Sequence, residues 1–271
     1  MTIRRGMLYG GLAIIAIAHL LPFYLLIVLA TRTPGSTGSV WALPTAINWP
    51  NFAEAWDGAN LGTGLLNTAI ITAFSLVGAT FIGLLAAYPL ARRLTRGNGA
   101  VYAVIVACMM VPNLTILVPL YRFMVDINGV NERWAVILLH ITFNLPIIVF
   151  LYAGALRSIP REIDDAAAID GAGRLRTLFT VLFPLLTPAT AAVFVIVGIS
   201  IWNDFNFSLF FLQSSDVKTV TVSMSSFFSQ YNSYVERAAA GSLISSLPMV
   251  VLFLSLQKFF INGLAAGAVK G

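Results

Sequence analysis

Trp202-Asn203-Asp204-Phe205-Asn206-Phe207-Ser208 sets a carboxylate, two amides and a hydroxyl among aromatic rings inside an otherwise apolar run. Amides and a carboxylate can take the hydroxyls of a sugar while aromatic faces cover its C–H surfaces, so the mixture suits a neutral polyol better than an ion. Asp204 is the one acid within an apolar run, and an ionisable group at membrane depth is a functional position by default. At about 1.5 Å per residue it falls in the outer half of a bilayer. Polar residues beside prolines mark further interruptions: Pro112-Asn113 and Pro119, Asn144 ahead of Pro146, and Ser245-Ser246 ahead of Pro248. Broken backbone persists at such depth where protein or a water-filled cavity satisfies it. Asn113, Asn144, Trp202, Asn203, Asp204, Asn206 and Ser208 are the substrate path this predicts. The competing account has Asn203 and Asp204 bonding neighbouring helices, the aromatics forming an interfacial belt and each proline making a packing kink. Residue types weigh the two accounts equally at Asn203 and Asp204 and favour the kink at each proline taken singly.

A second stretch, REIDDAAAIDGAGRLRTLFTVLFPLLTP over 161–188, concentrates charge between two apolar runs. Ala166, Ala167 and Ala168 favour a helix and leave one face small enough for a close protein neighbour. Gly171 ends it, since glycine turns through positive φ at little steric cost. A second helix is expected from near Arg174 to Phe183, with Leu175, Phe179 and Leu182, flanked by Leu178 and Phe183, as an apolar stripe and Arg174 and Arg176 in water. Pro184 and Pro188 lead into the following apolar run. Glu162, Asp164, Asp165 and Asp170 would be repelled by anionic lipid, so this bent two-helix hook suits a basic, concave protein partner better than a headgroup layer.

Other chemistry is missing. There is no G-x-x-x-x-G-K-[ST] loop to cradle a nucleotide, no H-E-x-x-H and no Cys/His cluster, so neither catalytic residues nor a metal site are expected. His19 and His140 fall in different runs without a carboxylate beside either, which predicts packed, hydrogen-bonded imidazoles. Cys108 is the single cysteine and excludes an intrachain disulfide.

These groups need elements to position them. With 271 residues, 58% hydrophobic and 10% charged, and a mean hydropathy of +0.87, the chain departs from the composition of soluble domains. The expected fold class is all-α integral membrane. Runs at Leu8–Ala30, Leu65–Ala91, Gly99–Tyr121, Trp134–Leu156, Ala189–Phe211 and Ala239–Ile261 give six transmembrane helices. A barrel would need alternating segments that are not present. The first run is too long for a secretory signal and reads as an uncleaved anchor. Six helices with both termini cytoplasmic put Arg4, Arg5, Arg92, Arg93, Arg96, Arg157, Arg161, Arg174, Arg176, Lys258 and Lys270 inside. Arg32, Arg122, Arg133, Lys218 and Arg237 fall outside, and this asymmetry accounts for the net charge of +5 without a nucleic acid. The chain reads as a single transmembrane domain, 1–271. Residues 1–64 form the first helix and an extracytoplasmic loop with short turns; residues 65–271 are the core, with the hook at 157–188 and a tail at 263–271 whose composition is that of a flexible terminus.

D-A-A-A-I-D-G-A at Asp165–Ala172, continued by R-T-L-F-T-V-L-F-P-L-L-T-P, resembles the E-A-A-x-x-D-G-A loop of ABC importer permeases. I-P-R-E-I-D-D before it, W-N-D-F at Trp202–Phe205 and the ending G-L-A-A-G-A-V-K-G extend the likeness from about Asn67 to the C-terminus. The combination is similar to the smaller, six-helix permease subunit of maltose-type carbohydrate importers. The resemblance implies a hook inserted into the ATP-binding subunit through Glu162, Asp164, Asp165, Ala166, Ala167, Asp170, Gly171 and Ala172. Asp170 would stabilise the turn. Asp165 stands where the family usually has Glu, a carboxylate one methylene shorter. It also implies a second homologous permease, two ATPase subunits holding the ATP and Mg, no cofactor in this chain, and an extracytoplasmic binding protein facing the aromatic segment Gln213–Arg237, with Phe227, Phe228, Tyr231 and Tyr234. The tail would reach the nucleotide-binding dimer, and the location would be a bacterial or archaeal inner membrane. Membrane lipid is the remaining partner. The rival functions are an ion-coupled secondary transporter working through Asp204, and a non-transporting scaffold that recruits a partner by its hook.

Overall fold

The structure is a computed structural model. It describes residues 2–36, 38–44, 46–229, 232–233 and 235–268, with side chains omitted at 2–6, 229, 232–233 and 260–268. Tyr231, Tyr234 and Lys270 lie outside the described residues, and the side chains of Arg4 and Arg5 are not described. Helices dominate: α1 Thr2–Thr31, α2 Pro50–Gly58, α3 Leu61–Arg92, α4 Arg96–Ala107, α5 Leu117–Asp126, α6 Arg133–Ser158, α7 Glu162–Ile169, α8 Arg174–Arg176, α9 Phe183–Leu185, α10 Thr187–Trp202, α11 Asn206–Phe211, α12 Val220–Ser225 and α13 Val235–Ala268. A π-helical turn over Thr177–Leu182 joins α8 to α9. The sole strands among the described residues, β1 Phe228–Ser229 and β2 Asn232–Ser233, make a two-residue antiparallel pair with Phe228 opposite Ser233.

Among the described residues four helices are long and apolar enough to cross a membrane: Met7–Thr31, Leu61–Arg92, Arg133–Ser158 and Val235–Phe259. The third predicted run is instead a bent pair, Arg96–Met110 with Asn113–Asp126 at 88°, and a second bent pair, Arg174–Leu185 with Thr187–Trp202 at 79°, sets the end of the hook at an angle to the first part of the fifth run. The first bend falls at Val111-Pro112, both in extended conformation, because a residue ahead of proline is pushed out of the helical region. Pro119, by contrast, interrupts nothing. It sits in the first turn of α5, where its missing N–H would have had no intrahelical acceptor. Pro146 and Pro248 likewise lie within continuous helices.

The expected continuous helix over Ala189–Phe211 stops at Trp202 and restarts at Asn206, because the Asp204 carboxylate takes backbone N–H groups for itself. The expected loop over 32–64 contains α2, started by Pro50 at its first positions, and α3 begins four residues ahead of Leu65. The segment after Gln213 holds α12 and the strand pair rather than loop alone. The tail is helical as far as Ala268.

The chain divides into two compact units, residues 1–65 with 220–247 and residues 66–219 with 248–271. In the first, Ala30, Ala55, Leu61, Val220, Phe227 and Ala240 form a core. Fully buried Asn51 satisfies the end of α1: its amide donates to the carbonyls of Ala30 at 2.9 Å and Arg32 at 2.7 Å. Arg237 pairs with Glu54 at 2.5 Å, tying α13 to α2.

In the second unit α3, α6 and α10 surround a core that includes Ile71, Leu84, Ile148, Tyr152, Val193 and Val197. Helices in lipid associate by close packing, which favours small residues at the contact. A Cβ on Gly78 would come within 2.7 Å of Ile141, and one on Gly83 within 2.4 Å of Ile148. Tyr152 donates to the Thr190 hydroxyl at 3.0 Å, joining α6 to α10.

Candidate functional site: the hook and the Asp204 break

The hook takes its shape from the end of α7. Gly171 has φ +77°, its N–H donates to the Ala168 carbonyl at 3.0 Å, and the Ala172 N–H reaches back to Ala167 at 2.9 Å. These are the two bonds of a Schellman motif, which a glycine in the left-handed region allows. The Asp170 N–H donates to Ala166 at 3.0 Å, and no hydrogen bond of its side chain occurs among the described residues. Glu162, Asp164 and Asp165 occupy the first turn of α7, where carboxylates meet the positive end of the helix dipole.

Asp164 is drawn into the protein. Arg92, in the last turn of α3, pairs with its Oδ2 at 2.7 Å, while Tyr88 donates to its Oδ1 at 3.2 Å. The other arm of Arg92 donates to the Ile159 carbonyl at 2.8 Å, so one guanidinium fixes both ends of the link from α6 to α7. Ala167 is buried and Ala172 half-buried, whereas Glu162, Asp165, Ala166, Ala168, Asp170 and Gly171 are exposed and Ile169 is 87% exposed. The hook therefore presents acids beside an uncovered apolar side chain. Leu175 leaves the expected stripe and is exposed, while Thr177, Leu178 and Leu182 are buried. The wider π turn over 177–182 rotates the buried face away from the line that α-helical spacing predicts.

At the second site Asp204 lies in the break between α10 and α11. Its Oδ1 accepts from the Phe207 N–H at 3.2 Å, and its Oδ2 accepts from the Ser208 N–H at 2.9 Å and the Ser208 hydroxyl at 2.8 Å. An acid so held caps the first turn of a helix. Ser208 and Trp202 are buried; Asn203 and Asn206 are exposed, with the Asn203 amide on the Ile199 carbonyl at 3.0 Å. His140, on α6, stands with Nε2 3.7 Å from Asp204 Oδ2, and its ring meets Phe207 edge-on at 5.5 Å. The expectation of a histidine without a carboxylate neighbour fails, because the acid comes from a different apolar run. Asn144, one turn along α6, donates to the His140 carbonyl at 2.8 Å.

Asn113 is on the wall of a separate cavity of about 560 Å³, shared by α3, α4 and α6 and lined by Ile82, Cys108, Phe143 and Pro146. Phe143 borders that cavity and packs 5.2 Å from Phe207, so it adjoins both places. The structure thus brings His140, Asp204 and Ser208 together, ties the Asn144 and Asn203 amides to carbonyls of their own helices, and leaves Asn113 apart on the cavity wall. His140, Arg92 and Tyr88 were not among the predicted site residues. An arginine closing one apolar run and three acids opening the hook, at Glu162, Asp164 and Asp165, were the available signal for Arg92; His140 carried none within its own run.

Residues 79–264 match the family described as binding-protein-dependent transport system inner membrane component. The melibiose/raffinose/stachyose import permease protein MelC of Bacillus subtilis (strain 168) is 48% identical over 260 residues, covering 96% of this chain and 94% of that one. The probable starch degradation products transport system permease protein AmyC of Thermoanaerobacterium thermosulfurigenes is 29% identical over 258 residues, 95% of this chain and 94% of the other. In three dimensions the fold is similar to a chain of a bacterial ABC transporter involved in the import of the acidic polysaccharide alginate, with a TM-score of 0.81 at 21% identity over 96% of this chain and 97% of that one. The hook, the capped break and these likenesses converge: this chain belongs to the family of binding-protein-dependent transport system inner membrane components.

Proposed function

We propose that the chain is the membrane-spanning permease subunit of a sugar importer powered by ATP hydrolysis in separate subunits. The observation that carries this reading is the hook: a short helix ended by Gly171, pinned to α3 through Arg92 and Asp164, and exposing Asp165, Ala168, Ile169 and Asp170. Such a lever suits a partner that pushes. When two ATPase subunits close around ATP and Mg, force on α7 passes through the Arg92–Asp164 pair into α3 and reorients the core helices, opening the pathway outward and, on release, inward. The chain itself hydrolyses nothing and needs no cofactor.

In this reading both bent pairs count as crossings, which gives six spans with both termini cytoplasmic in a bacterial or archaeal inner membrane. A second homologous permease completes the pathway, and an extracytoplasmic binding protein delivers cargo at the segment after Gln213. The name of the relative at 48% identity supports melibiose, raffinose or stachyose as cargo. Exposed Asn203 and Asn206 and the cavity-lining Asn113 offer amides to hydroxyls, while Asp204 and Ser208 gate the path by holding α11.

The test is a detergent pull-down of the chain with its native partners, wild type against Gly171→Pro and against the pair Asp165→Lys with Asp170→Lys. Loss of the ATPase subunits with retention of the second permease is expected for both variants. Wild type that brings down no ATPase under gentle conditions overturns the reading and makes ion-coupled transport through Asp204 the hypothesis to test with an uncoupler.

A further inference from the structure

The pathway sketched above uses Asp204 without assigning anything to His140. This imidazole is 4% exposed, and its Nε2 has no hydrogen-bond partner among the described residues. Buried polar atoms without a partner are uncommon, and each needs a physical cause. The Oδ2 of Asp204, 3.7 Å away, is the acceptor it faces, at about 0.7 Å beyond the roughly 3.0 Å of a good N–H···O bond. That gap is smaller than the helix shifts of roughly 1–2 Å that accompany switching in proteins.

Asp204 is already committed to backbone. Three donors, the Phe207 and Ser208 N–H groups and the Ser208 hydroxyl, meet its two oxygens and fix the first turn of α11. The ring of Phe207, whose own N–H is one of those donors, lies against the edge of His140 and beside Phe143. A bond from His140 to Oδ2 would therefore join α6 to the start of α11 through a carboxylate that cannot swing away without uncapping that helix.

We propose that His140 is a positioning residue acting through Asp204: a hydrogen bond from Nε2 to Oδ2 clasps α6 to the α10–α11 break in one state of the transport cycle, and the 3.7 Å spacing is the open form of that clasp. The proposal rests on the importer reading, in which these elements shift against each other. It also assigns Asp204 to the hold on α11 rather than to contact with sugar.

The experiment compares His140→Leu, His140→Gln, Asp204→Asn and the double variant His140→Leu with Asp204→Asn. Initial raffinose uptake is read in cells expressing the whole transporter, and the thermal unfolding midpoint on the purified chain. His140→Leu is expected to lower uptake at least tenfold, and His140→Gln, which keeps a side-chain N–H, to retain at least half. The double variant should lose no more than the worse single, and the midpoint shifts of the singles should fail to add. Additive midpoint shifts, or full uptake by His140→Leu, overturn the clasp. Wild type that takes up no raffinose overturns the choice of cargo in the importer reading, while the midpoints still decide the clasp. Should His140→Leu not accumulate, the cycle of His140→Ala with Asp204→Asn is read in the same way.

Discussion

Gly171 and Gly173 stand two residues apart, and a Cβ would meet open space at either. Only Gly171 lies at positive φ, +77°, whereas Gly173 has φ −69° and ψ 160°. Crowding is therefore equal and conformation alone separates them. A non-glycine residue in the left-handed region costs about 1–2 kcal/mol, so Gly171→Ala should lower the unfolding midpoint of the purified chain while Gly173→Ala leaves it within error. Gly171→Asn should fall between, since asparagine tolerates that region best among side chains. Equal shifts for Gly171→Ala and Gly173→Ala would mean that the Schellman geometry is not what ends α7. At this scale the sequence was readable wherever the cause was local. The alanines, the aspartate and the glycine of 165–172 spell a helix and its stop within one turn of chain. The pairing of His140 with Asp204 was not readable, because it joins residues 64 positions apart through a packing that no spacing encodes.

Between elements, the α3–α6 contact shows how closely glycine lets two helices approach. Gly83 faces Ile148, whose Cγ2 would lie 2.4 Å and Cβ 3.2 Å from a new methyl. Neither atom is the free end of a flexible side chain, so relief requires the backbones to part. Gly83→Ala is expected to destabilise by about 1–3 kcal/mol, the range of overpacking in a filled core. Ile148→Ala removes the Cγ2 and should recover part of the loss in the double variant, read as the unfolding midpoint in detergent. Two losses that simply add would show that the contact is looser than described. The elements themselves were largely legible as apolar runs, since lipid demands about 20 such residues per crossing. Their interruptions were legible only in part. Pro112 bends its run through an effect confined to neighbouring residues, whereas the break before α11 depends on the Asp204 side chain folding back onto Phe207 and Ser208. α2 escaped notice because Pro50, the signal for its start, reads equally well as a turn residue.

For the whole molecule, the number of crossings decides which face each functional segment meets, and the two bent pairs leave that number between four and six by length and composition. If the N-terminus is inside and both pairs cross, residue 168 in the hook is cytoplasmic and residue 215, between α11 and α12, is external. If neither pair crosses, both positions are external. A crossing by the α4–α5 pair alone makes both cytoplasmic, and one by the α10 pair alone puts 168 outside and 215 inside. Three cysteines therefore settle the topology. In a Cys108→Ala background, Ser39→Cys, Ala168→Cys and Ser215→Cys each substitute an exposed residue, and Ser39, just after α1, reports the orientation of the N-terminus. The excess of Lys and Arg on the predicted cytoplasmic side favours the six-crossing arrangement. A membrane-impermeant maleimide added to intact cells should accordingly label Ser39→Cys and Ser215→Cys, and should reach Ala168→Cys only after permeabilisation. Labelling of Ala168→Cys in intact cells would put the hook on the face without ATP, and the coupling role would fall with it.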